Sequence, residues 1–236
     1  MRTKLIFVHG AGEVSEVWHH QAKHFSGSDF LTLPGHPRGE LCRSIEEYSD
    51  WLRSYIQKRK YNDVILVGHS AGNAIILTFV LRYSEQCKGL ILIGAAAKFR
   101  PLDETIAVLK KAANGDDLDW RMSLVEKYRL VEPEISQILI KKRINLGPRI
   151  QLNDVLCCSN YDVRRELNKI NLPTLIICGG DDKQTSTDYS YYLAANIENS
   201  QLLIIEGATH QVMLEKPSKV NKAIQEFATK VARVAY

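Results

Sequence analysis

One serine stands in a local pattern that can turn a hydroxyl into a nucleophile. Ser70 is the centre of Gly68-His69-Ser70-Ala71-Gly72, which follows the apolar run 64–67 and precedes a segment of helical pattern. A strand, a tight turn with glycine at both ends and a helix form a nucleophile elbow, which lifts the serine hydroxyl above the edge of a sheet. The alternative is a serine that caps a helix after a buried strand. The pattern favours attack by Ser70 on a carbonyl, provided that a base lies nearby.

His210 is the predicted base for this serine. It comes shortly after the apolar run 202–205, so we expect it on a loop beyond the carboxyl end of a strand, level with Ser70. A surface loop histidine is the alternative interpretation. The other histidines fit the role less well, because they fall in a helical segment, in a Pro-Gly turn or beside the serine; they are His19, His20, His24, His36 and His69.

Two adjacent aspartates, Asp181 and Asp182, are candidates for the acid that orients this base. They follow a glycine pair directly after the apolar run 175–178. A carboxylate at this edge can accept the Nδ1–H of His210, which fixes the ring tautomer and stabilises the imidazolium. We predict Asp182 in this role, with Asp181 as the neighbouring alternative.

Two backbone N–H groups are predicted to stabilise the oxyanion that forms when Ser70 attacks. Ala11 belongs to His9-Gly10-Ala11-Gly12 after the first apolar run, and Ala71 follows the nucleophile at a helix N-terminus, where negative charge is favoured. Each such donor is worth about 10²–10³ in rate. A plain glycine-rich turn is the alternative, while a phosphate loop is disfavoured because the chain lacks Gly-Lys-Ser/Thr and dinucleotide glycine spacing.

The composition is that of an ordinary globular chain. It has 236 residues, of which 45% are hydrophobic and 25% charged, and a formal net charge of +4, which suits one domain with or without an inserted subdomain. The basic residues are scattered, so we expect no nucleic-acid partner. No apolar run reaches about 18 residues and no signal-peptide pattern is present, so we expect no membrane span and a cytoplasmic location. Five cysteines without metal-ligand spacing predict reduced thiols, and we expect neither metal nor cofactor.

Short apolar runs alternate with longer segments of helical period along the chain. The runs are apolar throughout, as in strands that are buried on both faces of a parallel sheet. Their alternation with helices predicts an α/β fold with a doubly wound, mainly parallel sheet of about six strands. The predicted strands are 5–8, 30–33, 64–67, 90–93, 175–178 and 202–205, and the predicted helices between them are 15–24, 45–58, 71–83, 187–197 and 217–231.

The stretch 100–168 breaks this alternation. It has no convincing strand, and its pattern predicts short helices at 102–113, 120–130, 133–145 and 151–158. Because ligands bind at the carboxyl edge of open α/β sheets, we interpret it as a helical cap over that edge. The predicted division is a core of 1–99 and 169–236 with a cap of 100–168. The cap residues considered for the pocket wall are Leu124, Tyr128, Leu152, Leu156 and Tyr161.

Several short motifs accompany the elbow: His9-Gly10-Ala11-Gly12 with Trp18 downstream, Leu33-Pro34-Gly35-His36, Leu172-Pro173, Gly179-Gly180-Asp181-Asp182, and Gly207-Ala208-Thr209-His210 followed by Glu215-Lys216-Pro217. In combination they resemble the α/β-hydrolase superfamily over nearly the full chain. The resemblance favours Asp182 over Asp181 and agrees with the order serine, aspartate, histidine. Two positions depart from the pattern, Thr32 where an aspartate is frequent and Asn73 where a third glycine is frequent, and neither touches the proposed triad.

The resemblance implies a two-step mechanism in which Ser70 forms an acyl-enzyme and water activated by His210 releases the acid. The serine argues against haloalkane dehalogenases and epoxide hydrolases, which share the fold and use an aspartate. The first strand begins almost at residue 1, so the two leading antiparallel strands of many members are expected to be absent.

We expect a small or medium carboxylic ester as substrate and a monomer or homodimer. Carbon–carbon bond hydrolysis or a lyase reaction with the same triad is an alternative, for which relatives place arginines on a substrate carboxylate. Candidates for that role are Arg38, Arg121, Arg143 and Arg149. A slow-turnover ligand receptor that keeps the triad is a further alternative.

Overall fold

A single parallel sheet forms the centre of the computed structural model, which describes residues 3–100 and 103–234. Its six strands have the order β2-β1-β3-β4-β5-β6, and every neighbouring pair is parallel. The strands are β1 (Lys4–Val8), β2 (Asp29–Leu31), β3 (Val64–His69), β4 (Cys87–Ile93), β5 (Thr174–Gly179) and β6 (Ser200–Ile205). This confirms the predicted α/β class and the six-stranded parallel sheet, and β1 is the first strand of the described residues.

Helices cover both faces of this sheet. They are α1 (His19–His24), α2 (Ile45–Lys58), α3 (Ala71–Arg82), α4 (Asp103–Ala113), α5 (Leu118–Lys127), α6 (Pro133–Leu146), α7 (Pro148–Ser159), α8 (Thr187–Asn196), α9 (Val212–Glu215) and α10 (Pro217–Val234). On one face Leu52 of α2, Ile76 of α3 and Leu193 of α8 pack in one core; on the other, Trp18 and residues of α10 such as Ile224 pack in a second. Because both faces are covered, the central strands are apolar over most of their length.

More than half of the element ends differ from the sequence prediction, each by one to three residues. The second strand was expected at 30–33 and instead ends at Leu31, because the N–H of Leu33 donates to His9 Nε2 and leaves the sheet ladder. The first predicted helix begins as the 3₁₀ turn Ser15–Trp18 before α1. The helix predicted from residue 102 is α4; Leu102 itself lies outside the described residues.

Four helices, α4 to α7, lie between β4 and β5, and we call them the inserted helices. They have a small core of their own, in which Leu109, Trp120 and Leu124 are buried together. The division of the chain into a core and a cap remains a prediction. Within residues 3–100 and 103–234, no helix combines the length and the apolarity that crossing a bilayer requires.

Candidate active site

The turn after β3 holds Ser70 in a backbone conformation that serine seldom adopts. Its φ is 51° and its ψ is −122°, and its N–H donates to the carbonyl of Ile93 at 3.1 Å. A Cβ on Gly72 would lie 2.3 Å from the carbonyl oxygen of Val8, so α3 can cross β1 this closely only with glycine there. No side-chain hydrogen bond from Ser70 caps α3, contrary to the alternative of a capping serine. The strained turn is what an elbow requires.

Asp182 and His210 form a buried hydrogen-bonded pair. His210 Nδ1 lies 2.8 Å from Asp182 Oδ2, and Thr185 Oγ1 donates to the same oxygen at 2.8 Å. Asp182 Oδ1 accepts the N–H groups of Gln184 and Thr185 at 2.8 and 2.9 Å. Asp181, the alternative, is exposed. The Nδ1–H of His210 therefore points to a carboxylate with four donors, which leaves Nε2 as the unprotonated nitrogen.

Burial and nearby charges shift the pKa values of Asp182 and His210. Burial raises the pKa of Asp182, but the hydrogen bond and charge of His210, together with the Thr185 donors, outweigh it and hold that pKa below its ordinary value. Burial also lowers the pKa of the His210 imidazole, and the nearby charges of His69 and Lys127 lower it further, against the opposing effect of Asp182. The ring is therefore neutral at pH 7 and its Nε2, buried and without a hydrogen-bond partner among the described residues, is free to accept a proton.

The loop that carries His210 is held on two sides. His69 Nε2 lies 2.9 Å from the carbonyl oxygen of His210, and the N–H of Thr209 donates to Glu215 Oε2 at 2.6 Å. The Thr209 hydroxyl donates to the same carboxylate. A Cβ on Gly94 would lie 3.1 Å from His210 Cε1, so the imidazole packs directly against the backbone of Gly94. These contacts restrict both the position and the tilt of the imidazole.

A cavity of about 450 Å³ brings the predicted site residues together. Ser70, His210, Ala11 and Ala71 all lie in its wall, and Asp182 lies behind His210. The remaining lining residues come from the sheet edge and the inserted helices: Ala96, Lys98, Phe99, Arg100, Thr105, Lys127, Gln151, Val155, Cys158, Lys183, Gln184, Thr185, Ser186 and Tyr189.

The apolar and aromatic residues considered for the pocket wall do not line this cavity. Leu124 packs in the inserted helices' own core, Tyr128 packs against the face that carries Trp18, and Tyr161 packs in the core on the other face. Leu152 packs against the inserted helices' core, and Leu156 is 44% exposed. Their neighbours Lys127, Gln151, Val155 and Cys158 line it instead, because the helices turn a mixed face towards the sheet.

The loop 9–12 is fixed by three separate hydrogen bonds. Burial lowers the pKa of His9 to about 4, so its neutral ring accepts the N–H of Leu33 at Nε2. The N–H of Gly10 donates to Glu13 at 3.0 Å, and the N–H of Gly12 donates to Asp154 of α7 at 2.8 Å. A Cβ on Gly10 would lie 3.0 Å from Ser70 Cβ, so this loop runs directly beside Ser70. The arrangement sets Ala11 at the cavity wall.

Two buried carboxylates were missed by sequence reasoning. Asp154 accepts hydrogen bonds from Gly12 and from Tyr48, and it lies 2.8 Å from His36 Nε2. Glu13 lies between Lys127 and Arg143 and beside His69. Both are ordinary polar residues in the sequence, and only the long-range packing reveals their partners. Among the described residues, no cluster of three or more His, Cys, Asp or Glu side chains is arranged to hold a metal ion.

A family model described as "Serine aminopeptidase, S33" matches residues 1–217 of the chain. The chain belongs to this family. Membership of this S33 family and the all-parallel sheet confirm the resemblance to the α/β-hydrolase superfamily. The chain is therefore an α/β hydrolase.

Several proteins resemble this S33 family member over most of its length. A putative esterase/lipase of Mycoplasma pneumoniae is 26% identical over 253 residues, covering 98% of this chain and 91% of that protein. An (E)-2-((N-methylformamido)methylene)succinate hydrolase of Acinetobacter baylyi is 23% identical over 234 residues, covering 94% and 89%. The solved structure of a thermophilic esterase has a TM-score of 0.82 and 26% identity, covering 97% of this chain and 90% of that one.

Proposed function

We propose that the protein hydrolyses carboxylic esters with Ser70 as nucleophile, His210 as base and Asp182 as orienting acid. The observation that carries this proposal is the state of His210. Its Nδ1 is bound to Asp182, its Nε2 is buried without a partner among the described residues, and the ring shares a cavity wall with Ser70. A neutral imidazole with one free nitrogen beside a serine on a strained turn is equipped to remove the hydroxyl proton.

The reaction proceeds in two steps. Ser70 Oγ attacks the ester carbonyl while His210 Nε2 takes its proton, and the tetrahedral intermediate collapses to an acyl-enzyme as the imidazolium protonates the leaving alcohol. Water then attacks the acyl group, His210 again accepts a proton, and Ser70 is regenerated with release of the acid. Asp182 stabilises the imidazolium in both steps through the 2.8 Å hydrogen bond.

The oxyanion is assigned to the N–H groups of Ala11 and Ala71. Both residues line the cavity beside Ser70, and Ala71 begins α3, whose N-terminal dipole favours negative charge. The inserted helices act as a cap in this proposal. Thr105, Lys127 and Gln151 of these helices line the cavity and so face the substrate.

Ester hydrolysis fits this cavity better than removal of an N-terminal residue from a peptide. A peptide substrate of that kind presents a cationic α-amino group, which is stabilised by carboxylates. The described lining contains lysines and an arginine and no aspartate or glutamate. The putative esterase/lipase and the thermophilic esterase that are each 26% identical to this chain support ester hydrolysis as well.

The test is hydrolysis of 4-nitrophenyl esters from acetyl to dodecanoyl by the wild type and by Ser70→Ala. We expect turnover that depends on Ser70, with an optimum at short or medium chain length that the cavity of about 450 Å³ accommodates. Ser84→Ala, in the 3₁₀ turn Ser84–Gln86 before β4, is the matched control and should retain wild-type rates. Equal rates for the wild type and Ser70→Ala would contradict the proposal.

A further inference from the structure

The cavity wall carries an unbalanced set of charges. Four cationic side chains line it: Lys98, Arg100, Lys127 and Lys183. Within residues 3–100 and 103–234, the lining includes no carboxylate. Lys98 is paired with Asp162 at 3.1 Å, whereas Arg100 and Lys183 have no carboxylate within 4 Å in the same part of the chain. Positive charge therefore accumulates around a partly closed space, where its field is less screened than on an open surface.

Lys127 is the most enclosed of the four, so its charge is the least screened by solvent. Its side chain is 15% exposed and lies 3.0 Å from Glu13 Oε1. The same carboxylate oxygen lies 3.6 Å from the guanidinium of Arg143, which is 1% exposed. The Glu13 carboxylate thus serves two buried cations, and Asp182, behind His210, is a further negative charge that acts on Lys127. Of the two cations, Lys127 is the one that reaches the cavity. A buried cation without a full counter-charge favours an anion beside it.

The rest of the wall is mixed, and part of it is apolar. Its apolar members are Ala96, Phe99, Val155 and Cys158, which line the same cavity as the cations and Ser70. Such a surface suits a short hydrocarbon chain, while the cations suit a group that carries negative charge. The two features lie in one cavity with Ser70 and His210, so a single substrate can occupy both.

We propose that the substrate is an ester that also carries a carboxylate, such as the monoester of a short dicarboxylic acid. The ester lies at Ser70, the hydrocarbon chain follows the apolar wall, and the carboxylate is bound by Lys127 with Arg100 and Lys183 at the rim. This inference rests on the proposed ester hydrolysis and specifies its substrate class. None of the arginines considered from sequence holds this position: Arg121 pairs with Asp117, Arg143 is buried at Glu13, Arg149 donates to the carbonyl of Ala113, and Arg38 is exposed away from the wall.

The test compares two esters that differ only in charge. They are mono-(4-nitrophenyl) adipate and the 4-nitrophenyl ester of adipamic acid, in which an uncharged amide replaces the carboxylate. We expect kcat/KM of the wild type to be about tenfold higher for the charged ester, since one enclosed ion pair is worth about that factor. The ratio should fall towards one in Lys127→Met and fall in part in the double variant Arg100→Gln/Lys183→Gln. Lys222→Gln on α10, outside the cavity wall, is the charge-matched control and should keep the wild-type ratio.

A binding measurement separates this inference from the proposed function. The dissociation constants of both esters for Ser70→Ala, measured by calorimetry, report recognition without turnover. Tighter binding of the charged ester, with no turnover of either ester by the wild type, would support the carboxylate site and contradict the esterase. Turnover of both esters with a ratio of one or below, or a ratio unchanged in both cation variants, would overturn the carboxylate site and leave the esterase intact.

Discussion

Asp154 and Gly12 are joined by a 2.8 Å hydrogen bond from the backbone N–H of Gly12 to the Asp154 carboxylate. Asp154 belongs to α7 of the inserted helices, and Gly12 follows Ala11 in the loop beside Ser70. The same carboxylate lies 2.8 Å from His36 Nε2 and accepts the hydroxyl of Tyr48 at 2.8 Å. A single buried side chain thus connects the inserted helices to the loop that carries a proposed oxyanion donor.

Replacement of Asp154 by asparagine should weaken this connection. One amide oxygen cannot accept from all three donors, and each buried donor left without a partner costs about 1–3 kcal/mol. We expect a melting temperature lower by roughly 2–12 °C and a lower kcat, because the loop 9–12 loses an anchor. Calorimetry and ester hydrolysis check both. Asp117→Asn, which disrupts only an exposed pair with Arg121, is the control; equal effects of the two variants would contradict the anchoring role.

The pH dependence of kcat/KM should report the titration of His210. The base must be neutral, so activity is lost as the pH falls through its pKa. Sequence alone places this loss at about pH 6–7. Because burial lowers the pKa of His210 from its ordinary value of 6.5, we expect the midpoint of the acid limb below pH 6.5. Lys127→Met removes a charge that lowers this pKa, so its limb should move to higher pH. A rate that stays flat down to pH 4 would exclude His210 as the base.

Thr185 is expected to act through Asp182. Its hydroxyl donates to Asp182 Oδ2 at 2.8 Å and lies 3.2 Å from His210 Nδ1. Thr185→Val removes this donor, so the carboxylate should hold the imidazolium more strongly and raise the pKa of His210. We expect kcat/KM to fall roughly tenfold at neutral pH and the acid limb to move upwards. Thr187→Val at the start of α8 is the control; a profile identical to wild type for Thr185→Val would refute the role.

Gly72 should not tolerate a side chain. An added Cβ would lie 2.3 Å from the carbonyl oxygen of Val8 and 2.7 Å from that of His9. Relief requires α3 to move away from β1, which displaces Ser70 relative to the loop 9–12. We expect Gly72→Ala to lower the melting temperature more than Gly115→Ala. At Gly115, whose φ is +105°, an added Cβ strains only the backbone and meets nothing within 4 Å. A Gly72→Ala protein with wild-type stability and activity would show that the close approach has no importance.

The sheet could be predicted from the sequence because strands that are buried on both faces are encoded by short, uniformly apolar runs. Runs such as 64–67 and 90–93 are uniformly apolar, and they fall inside β3 and β4. The ends of the strands were harder to predict, because each end depends on the hydrogen-bond partner of a single residue. The N–H of Leu33 donates to the ring of His9 and not to a neighbouring strand. No local sequence pattern predicts this contact.

The residues of the candidate site also fall into two groups, those that the sequence predicted and those that it did not. Ser70, Asp182 and His210 were found because each follows a strand at one sheet edge, and parallel strands bring their carboxyl ends together. Glu13, Lys127 and Asp154 were not found, because their partners depend on how the inserted helices pack. The hydrogen bond between Gly12 and Asp154 joins residues that are 142 positions apart in the sequence, and no sequence motif relates positions at that separation.

The most direct test of the central claim is covalent labelling with a fluorophosphonate, followed by intact mass and peptide mapping. We expect one adduct per chain on Ser70, formed at a rate that falls as His210 is protonated. No adduct should form in Ser70→Ala. Ser84→Ala should be labelled as the wild type is. An adduct on another residue, or a folded wild-type protein that is not labelled, would contradict the assignment of Ser70 as the nucleophile.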